Sequence, residues 1–281
     1  MTSSPARARV LLLAIPVAAA WPASFAQAAA GGMPFLAHRA IYDLKLGKTS
    51  GSQAPVSARG RIVYEFSGTA CDGYVTNFRQ ITEVQMEEGG PRVSDMRSAT
   101  FEEGDGSAFR FKTDTYMDGK LVETVDGKAT RPADGPLAVE LTKPAPDKFQ
   151  LGAGPIFPTA HMQFVIAAAM AGDRTSQTPI FDGSDSGKKV FDTMIVTGPP
   201  ATGAPTEPVA AEAESLGNVR RWPVSVSYFD PQKQDSSPNY VIAFDLYENG
   251  VSGKLRIDYG SYTLVGELAK FETLPVKACD K

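Results

Sequence analysis

Imidazole and thiol are scarce in this sequence: its 281 residues hold two histidines, His38 and His161, and two cysteines, Cys71 and Cys279. With the thiols so far apart there is no C-x-x-C pair, which argues against a dithiol redox enzyme and against a thiolate metal site. No G-x-S-x-G elbow presents a nucleophilic serine, and no P-loop or G-x-G-x-x-G offers a phosphate cradle. A surplus of positive charge is also lacking. The formal net charge is -4, which excludes nucleic acid and anionic membrane surface as favoured partners. Beyond the N-terminus no apolar run reaches the roughly 20 residues of a spanning helix, so the chain is not expected to span a membrane. No catalytic residue, cofactor or metal ion is expected.

The N-terminus carries an address. Arg7 and Arg9 precede the apolar run Val10 to Ala20, broken by Pro16, and Ala26-Gln27-Ala28 follows. That order of basic, apolar and small-residue regions is a secretory signal peptide, residues 1–28, cut after Ala28. No cysteine stands near the cut, so the mature chain, residues 29–281, is expected free in the periplasm as one domain. Disulfides persist in that compartment. A Cys71–Cys279 bridge is therefore the leading reading, against two separate free thiols. The chain-entropy relation gives about 5 kcal/mol for so long a loop, as an upper figure.

Most of the mature sequence alternates apolar and polar residues, the period of a half-buried strand. Ile62, Tyr64 and Phe66 share one face of Arg61–Phe66, and a second run covers Tyr74 to Met86. From Pro91 to Arg131 the pattern reads as a meander with joints at Asp105-Gly106, Asp118-Gly119 and Asp126-Gly127, dipeptides suited to tight hairpins. Tyr240 to Leu246 and Leu255 to Tyr259 flank Asn249-Gly250, and a break in alternation at Phe271 suggests a bulge. One segment departs from this period: 158–171 opens on Pro158-Thr159, continues in uncharged helix formers and stops at Gly172. A helix apolar all round is buried, so it is expected to lie against or plug a curved sheet. Ser50–Ser57 and the Pro/Ala-rich stretch 198–214 read as loops, and Leu137–Leu141 as a short strand. The fold class is mainly β, one large antiparallel sheet wound as an open barrel or spiral with one buried helix.

Aromatic residues lie on strand faces throughout, which core filling explains. A curled sheet also leaves a concave apolar surface for a ligand or partner. The residues chosen for that surface are Tyr64, Phe66, His161, Met162, Phe164 and Phe244. The loop Phe181-Asp182-Gly183-Ser184-Asp185-Ser186-Gly187 imitates part of a serine-protease nucleophile loop and offers hard oxygens. It lacks the flanking glycines of the former and the closing Glu of an EF-hand, and reads as a turn.

Several stretches in order carry a family resemblance: His38–Leu44, Gly60–Phe66 with Cys71 downstream, Phe157–Met162, Phe181–Ser184 with Val190–Thr193, and Cys279. Together they resemble the cell-envelope integrity protein B (EipB) family of alphaproteobacterial periplasmic proteins. The resemblance implies a non-enzymatic protein needed for envelope integrity under stress, folded as an antiparallel spiral with a helix packed on it and a disulfide at Cys71 and Cys279. It also implies likeness to lipoprotein carriers. Two roles follow as expectations: support of the envelope through protein partners, or carriage of lipid or lipoprotein acyl chains in the concave face.

Overall fold

Two meanders joined at their outer ends by a helix make up the chain. The computed structural model describes residues 35–51, 54–132, 135–233, 237–276 and 279, and the expected signal peptide lies outside them. The first meander runs β1 (His38–Thr49), β2 (Ser57–Thr69), β3 (Gly73–Gln85), β4 (Arg92–Glu102), β5 (Ala108–Met117), β6 (Lys120–Thr130), β7 (Leu137–Lys143) and β8 (Asp147–Leu151). Helix α1 (Pro158–Ala171) leads to the second: β9 (Thr175–Ile180), β10 (Phe191–Thr197), β11 (Arg221–Phe229), β12 (Tyr240–Tyr247), β13 (Ser252–Asp258) and β14 (Tyr262–Thr273). Two short helices, α2 (Pro208–Glu212) and α3 (Glu214–Gly217), lie between β10 and β11. Because β14 pairs with β1, all fourteen strands form one sheet in the order β8-β7-β6-β5-β4-β3-β2-β1-β14-β13-β12-β11-β10-β9. The first and last strands meet mid-sheet, and the edges are β8 and β9.

The sheet curls without closing. Phe181, just past the β9 edge, packs on Phe109 and Phe111 of β5 with ring centroids 6.5 and 5.6 Å apart. Since β5 lies three strands in from the β8 edge, one margin of the ribbon sits inside the other, which is an open spiral. The turn from β9 to β10 follows Phe181 across this inner face: a Cβ on Gly183 would stand 2.5 Å from the Phe111 ring. Phe109, Phe111, Val125, Leu137, Val139, Phe157 and Phe181 form one buried cluster there.

Helix α1 packs a second cluster. Val165, Ile166 and Ala169 meet Ile195, Trp222, Val224, Val226 and Leu246 of β10 to β12, while Met170 on the far side is exposed. The helix ends as its Gly predicts: Gly172 takes φ 87° and Asp173 N–H bonds the Ala168 carbonyl at 3.0 Å, a Schellman closure.

Three sequence expectations need correction. Asp118-Gly119 is a two-residue turn with φ 50° and 78°, and Asp105-Gly106 also lies in a turn, but Asp126-Gly127 is no joint. It lies inside β6, where a Cβ on Gly127 would come within 2.7 Å of both Phe111 and Leu141. That glycine serves close packing rather than a positive φ. The stretch 198–214 is not a plain loop: it contains α2 and the start of α3, whose Ala210 and Leu216 are fully buried against Ala40, Tyr42, Leu44, Leu264 and Leu268. After β6, where one short strand at Leu137–Leu141 is expected, the chain forms two, β7 and β8. The bulge is found near its expected place, where Ile41 pairs with Lys270 and Tyr42 with Leu268, leaving Ala269 unmatched.

The register brings the cysteines together. His38 at the start of β1 faces Phe66 of β2 on one side and Thr273 of β14 on the other. Past that level β2 runs on to its turn at Cys71, and the chain after β14 passes the start of β1, with Leu274 N–H bonding the Ala37 carbonyl at 2.8 Å. Cys71 and Cys279 are joined there in a disulfide, Cα atoms 5.9 Å apart.

Candidate functional site

Between α1 and the inner sheet face lies a cavity of about 420 Å³, with an adjoining lobe of about 210 Å³. One wall comes from β3 to β5. Thr76, Ser98, Thr100, Thr113 and Thr115 stand on it, and the Thr113 hydroxyl donates to Ser98 at 3.0 Å. Strand alternation puts these residues on one face, opposite the outward ion pairs of Asp95 with Arg79 and Arg97. Phe78 and Met96 interrupt the hydroxyls on that wall, and the rest of the apolar lining comes from Phe35, Tyr64, Phe66, Met162 and Tyr228.

Both histidines line both lobes, and the protein fixes the tautomer of each. His38, only 2% exposed, has Nδ1 2.7 Å from the Leu36 carbonyl oxygen. A carbonyl can only accept, so Nδ1 carries the proton and Nε2 is left with a lone pair. His161, 5% exposed, has Nε2 3.0 Å from Thr193 Oγ1. The Thr193 hydroxyl donates its own hydrogen to the Thr178 carbonyl at 2.6 Å. Nε2 of His161 is therefore the donor, and Nδ1 the lone-pair nitrogen. Burial pushes both imidazoles down, His161 to about 4; for His38 burial outweighs the bond to Leu36. Both rings are neutral at neutral pH.

Charge in the cavity has one sign. Glu123, Asp182 and Asp185 contribute to the lining, Asp185 in an ion pair with Lys189, and no Lys or Arg lines it among the described residues. Asp182 accepts the Ser184 N–H at 2.9 Å, and burial raises its carboxyl above the usual range, partly offset by Ser184. The phenol of Tyr228 is also raised, by burial first and then by the Asp182 charge.

The helix that roofs the cavity is held from below. Phe157 precedes α1 and makes no side-chain cap; Glu102 at the end of β4 supplies one instead, accepting the N–H groups of Thr159 and Ala160. These are donors that a helix start leaves without partners.

Of the residues chosen from sequence, Tyr64, Phe66, His161 and Met162 line the larger lobe, and Phe244 lines the smaller one with Tyr64, His161 and Met162. Phe164 lines neither and packs instead beside the buried cluster around Trp222. Not chosen from sequence for this surface were His38, Phe78, Tyr228, Asp182 and the hydroxyl wall. A signal for the wall was present: Ser94, Ser98, Thr100 and Glu102 fall on one face of β4, a polar set that core filling does not explain. Among the described residues no serine bonds either imidazole, and the Ser186 hydroxyl bonds Glu123 at 3.3 Å. A Ser-His charge relay is not assembled.

A family model described as EipB-like matches residues 29–275. A protein of Brucella abortus (strain 2308), described as cell envelope integrity protein EipB, is 40% identical over 248 residues, 88% of this chain and 87% of that protein. A crystal structure from Brucella abortus, described as a beta-barrel-like protein of a domain of unknown function, superposes with a TM-score of 0.80 at 38% identity. It covers 86% of this chain and 100% of that one. By the extent of these matches the chain belongs to the EipB-like family.

Proposed function

We propose that this protein is exported to the periplasm and supports the integrity of the cell envelope without catalysing a reaction, acting through protein partners. The observation that carries the reading is its likeness, across 88% of the chain, to a protein described as a cell envelope integrity protein. Export is supported by the signal-peptide pattern of residues 1–28 and by a family match that begins at residue 29. Among the described residues no helix is long and apolar enough to cross a membrane.

A groove on the outer face of the sheet supports the partner reading. The groove, of about 1020 Å³, runs along β11 to β14, bordered by Val196, Pro223, Ala243 and Val265 and by the start of α2 at Thr206–Val209. Exposed apolar residues beside a groove favour protein contact. The acyl-carrier reading rests on the inner cavity, but an acyl chain there would leave the hydroxyl wall of β3 to β5 unpaired, at a cost.

Cells lacking the gene are expected to lose tolerance to detergent and to cell-wall antibiotics, and to regain it with the intact gene but not with one lacking residues 1–28. Crosslinking in intact cells, with the lipid fraction analysed alongside, is expected to retain proteins and no stoichiometric lipid. Unchanged tolerance in the deleted strain would remove the reading.

A further inference from the structure

We propose that the inner cavity is a binding site for a small organic ammonium ion with an apolar or aromatic body. The proposal goes beyond the envelope role and does not depend on it.

What the cavity offers is acceptors. His38 and His161 are each more than nine-tenths buried, and each spends its only N–H on the protein, on Leu36 and Thr193 respectively. The remaining ring nitrogens have no hydrogen-bond partner among the described residues and belong to side chains that line the space. Asp182 adds a carboxylate that makes no ion pair among the described residues. The wall hydroxyls can accept as readily as donate. A ligand that satisfies this set must bring hydrogen-bond donors.

The sign of the charge follows from the same lining. Asp182 faces the space without an ion pair, Asp185 is paired with Lys189 at its margin, and no Lys or Arg lines it among the described residues, so an anionic ligand would be buried beside Asp182 without a free counter-charge, which is costly. An ammonium group is attracted to Asp182 and can also approach the aromatic faces of Tyr64, Phe66 and Tyr228. Its organic body then meets Phe35, Phe78 and Met162.

Titration calorimetry on the mature protein with three probes of one shape tests this. 2-Phenylethylammonium is expected to bind, 3-phenylpropionate is not, and phenethyltrimethylammonium, which keeps the charge and loses every N–H, is expected to bind at least about tenfold more weakly than the primary amine. Asp182→Asn is expected to weaken the primary amine by at least about tenfold, with an unchanged thermal melt as the folding control. Should that variant fail to fold, the probe series on the native protein decides. Equal binding of the carboxylate, no binding of the primary amine at millimolar concentration, or an unaffected Asp182→Asn protein would overturn the proposal.

Discussion

The carboxylate of Glu102 accepts the backbone N–H of Thr159 at 2.7 Å, so a strand on one side of the spiral caps the helix that crosses its interior. A second bond, from Ala160 N–H at 3.0 Å, makes the cap bidentate. Removing it leaves buried N–H groups unmatched, and Glu102→Ala is expected to cost about 1–3 kcal/mol in urea unfolding. The pH dependence has a definite sign. Burial raises the Glu102 carboxyl above its ordinary value of 4.5, against the pull of the two N–H groups. The folded state then holds a proton that the unfolded state has released, so this residue's contribution is full below 4.5 and fades as pH climbs through the raised value. The stability difference between native protein and Glu102→Gln is expected to shrink with rising pH over that window; a flat difference would refute the coupling.

The spiral was legible because strand alternation, Asp-Gly turns and an uncharged helix each have a local physical cause. What stayed hidden depends on residues far apart in the chain. Asp126-Gly127 has the composition of a hairpin, yet Phe111 and Leu141 close over it and hold the backbone extended. Ala210 and Leu216 look like linker residues until Tyr42 and Leu268 provide a surface to bury them. The same holds at the cavity. Aromatic periodicity pointed to Tyr64 and Phe66, but His38 enters only because β1 lies between β2 and β14, and Asp182 only because the β9 margin folds inward.

Glu207 holds a fork in the sheet. β13 and β14 pair from Leu255–Gly266 to Asp258–Thr263 and then diverge. Into the gap Glu207 places its carboxylate, accepting Lys254 N–H and Leu268 N–H, each at 2.9 Å. Glu207→Ala is expected to speed hydrogen exchange at those two amides and to lower stability by about 1–3 kcal/mol. Unchanged protection at both amides would show that the fork is held by other contacts.

The disulfide ties the β2–β3 turn to the chain end across 208 residues. Its loss is expected to destabilise the mature protein by about 2–5 kcal/mol, mainly by freeing the unfolded chain. Thermal melts of Cys71→Ser with Cys279→Ser should match those of native protein under reductant. Thiol labelling of denatured, unreduced protein should find no free sulfhydryl; two labelled cysteines would show that the bridge does not form.

His161 gives the protein a second, opposite response to acid. Its imidazole falls from the ordinary 6.5 to about 4 because burial disfavours the charged ring, so between those values the unfolded chain binds a proton that the folded chain refuses. The contribution is full above 6.5 and is lost as pH falls through about 4, amounting to no more than about 3 kcal/mol. His38 is shifted in the same direction by the same cause. His161→Gln keeps a side chain able to donate to Thr193 and removes the titration. Its stability relative to native protein is therefore expected to improve steadily as the pH is lowered from 7 to 4. Parallel urea-midpoint curves for the two proteins across that range would mean that the ring protonates inside the fold as easily as in water, and that the cavity around it is wet.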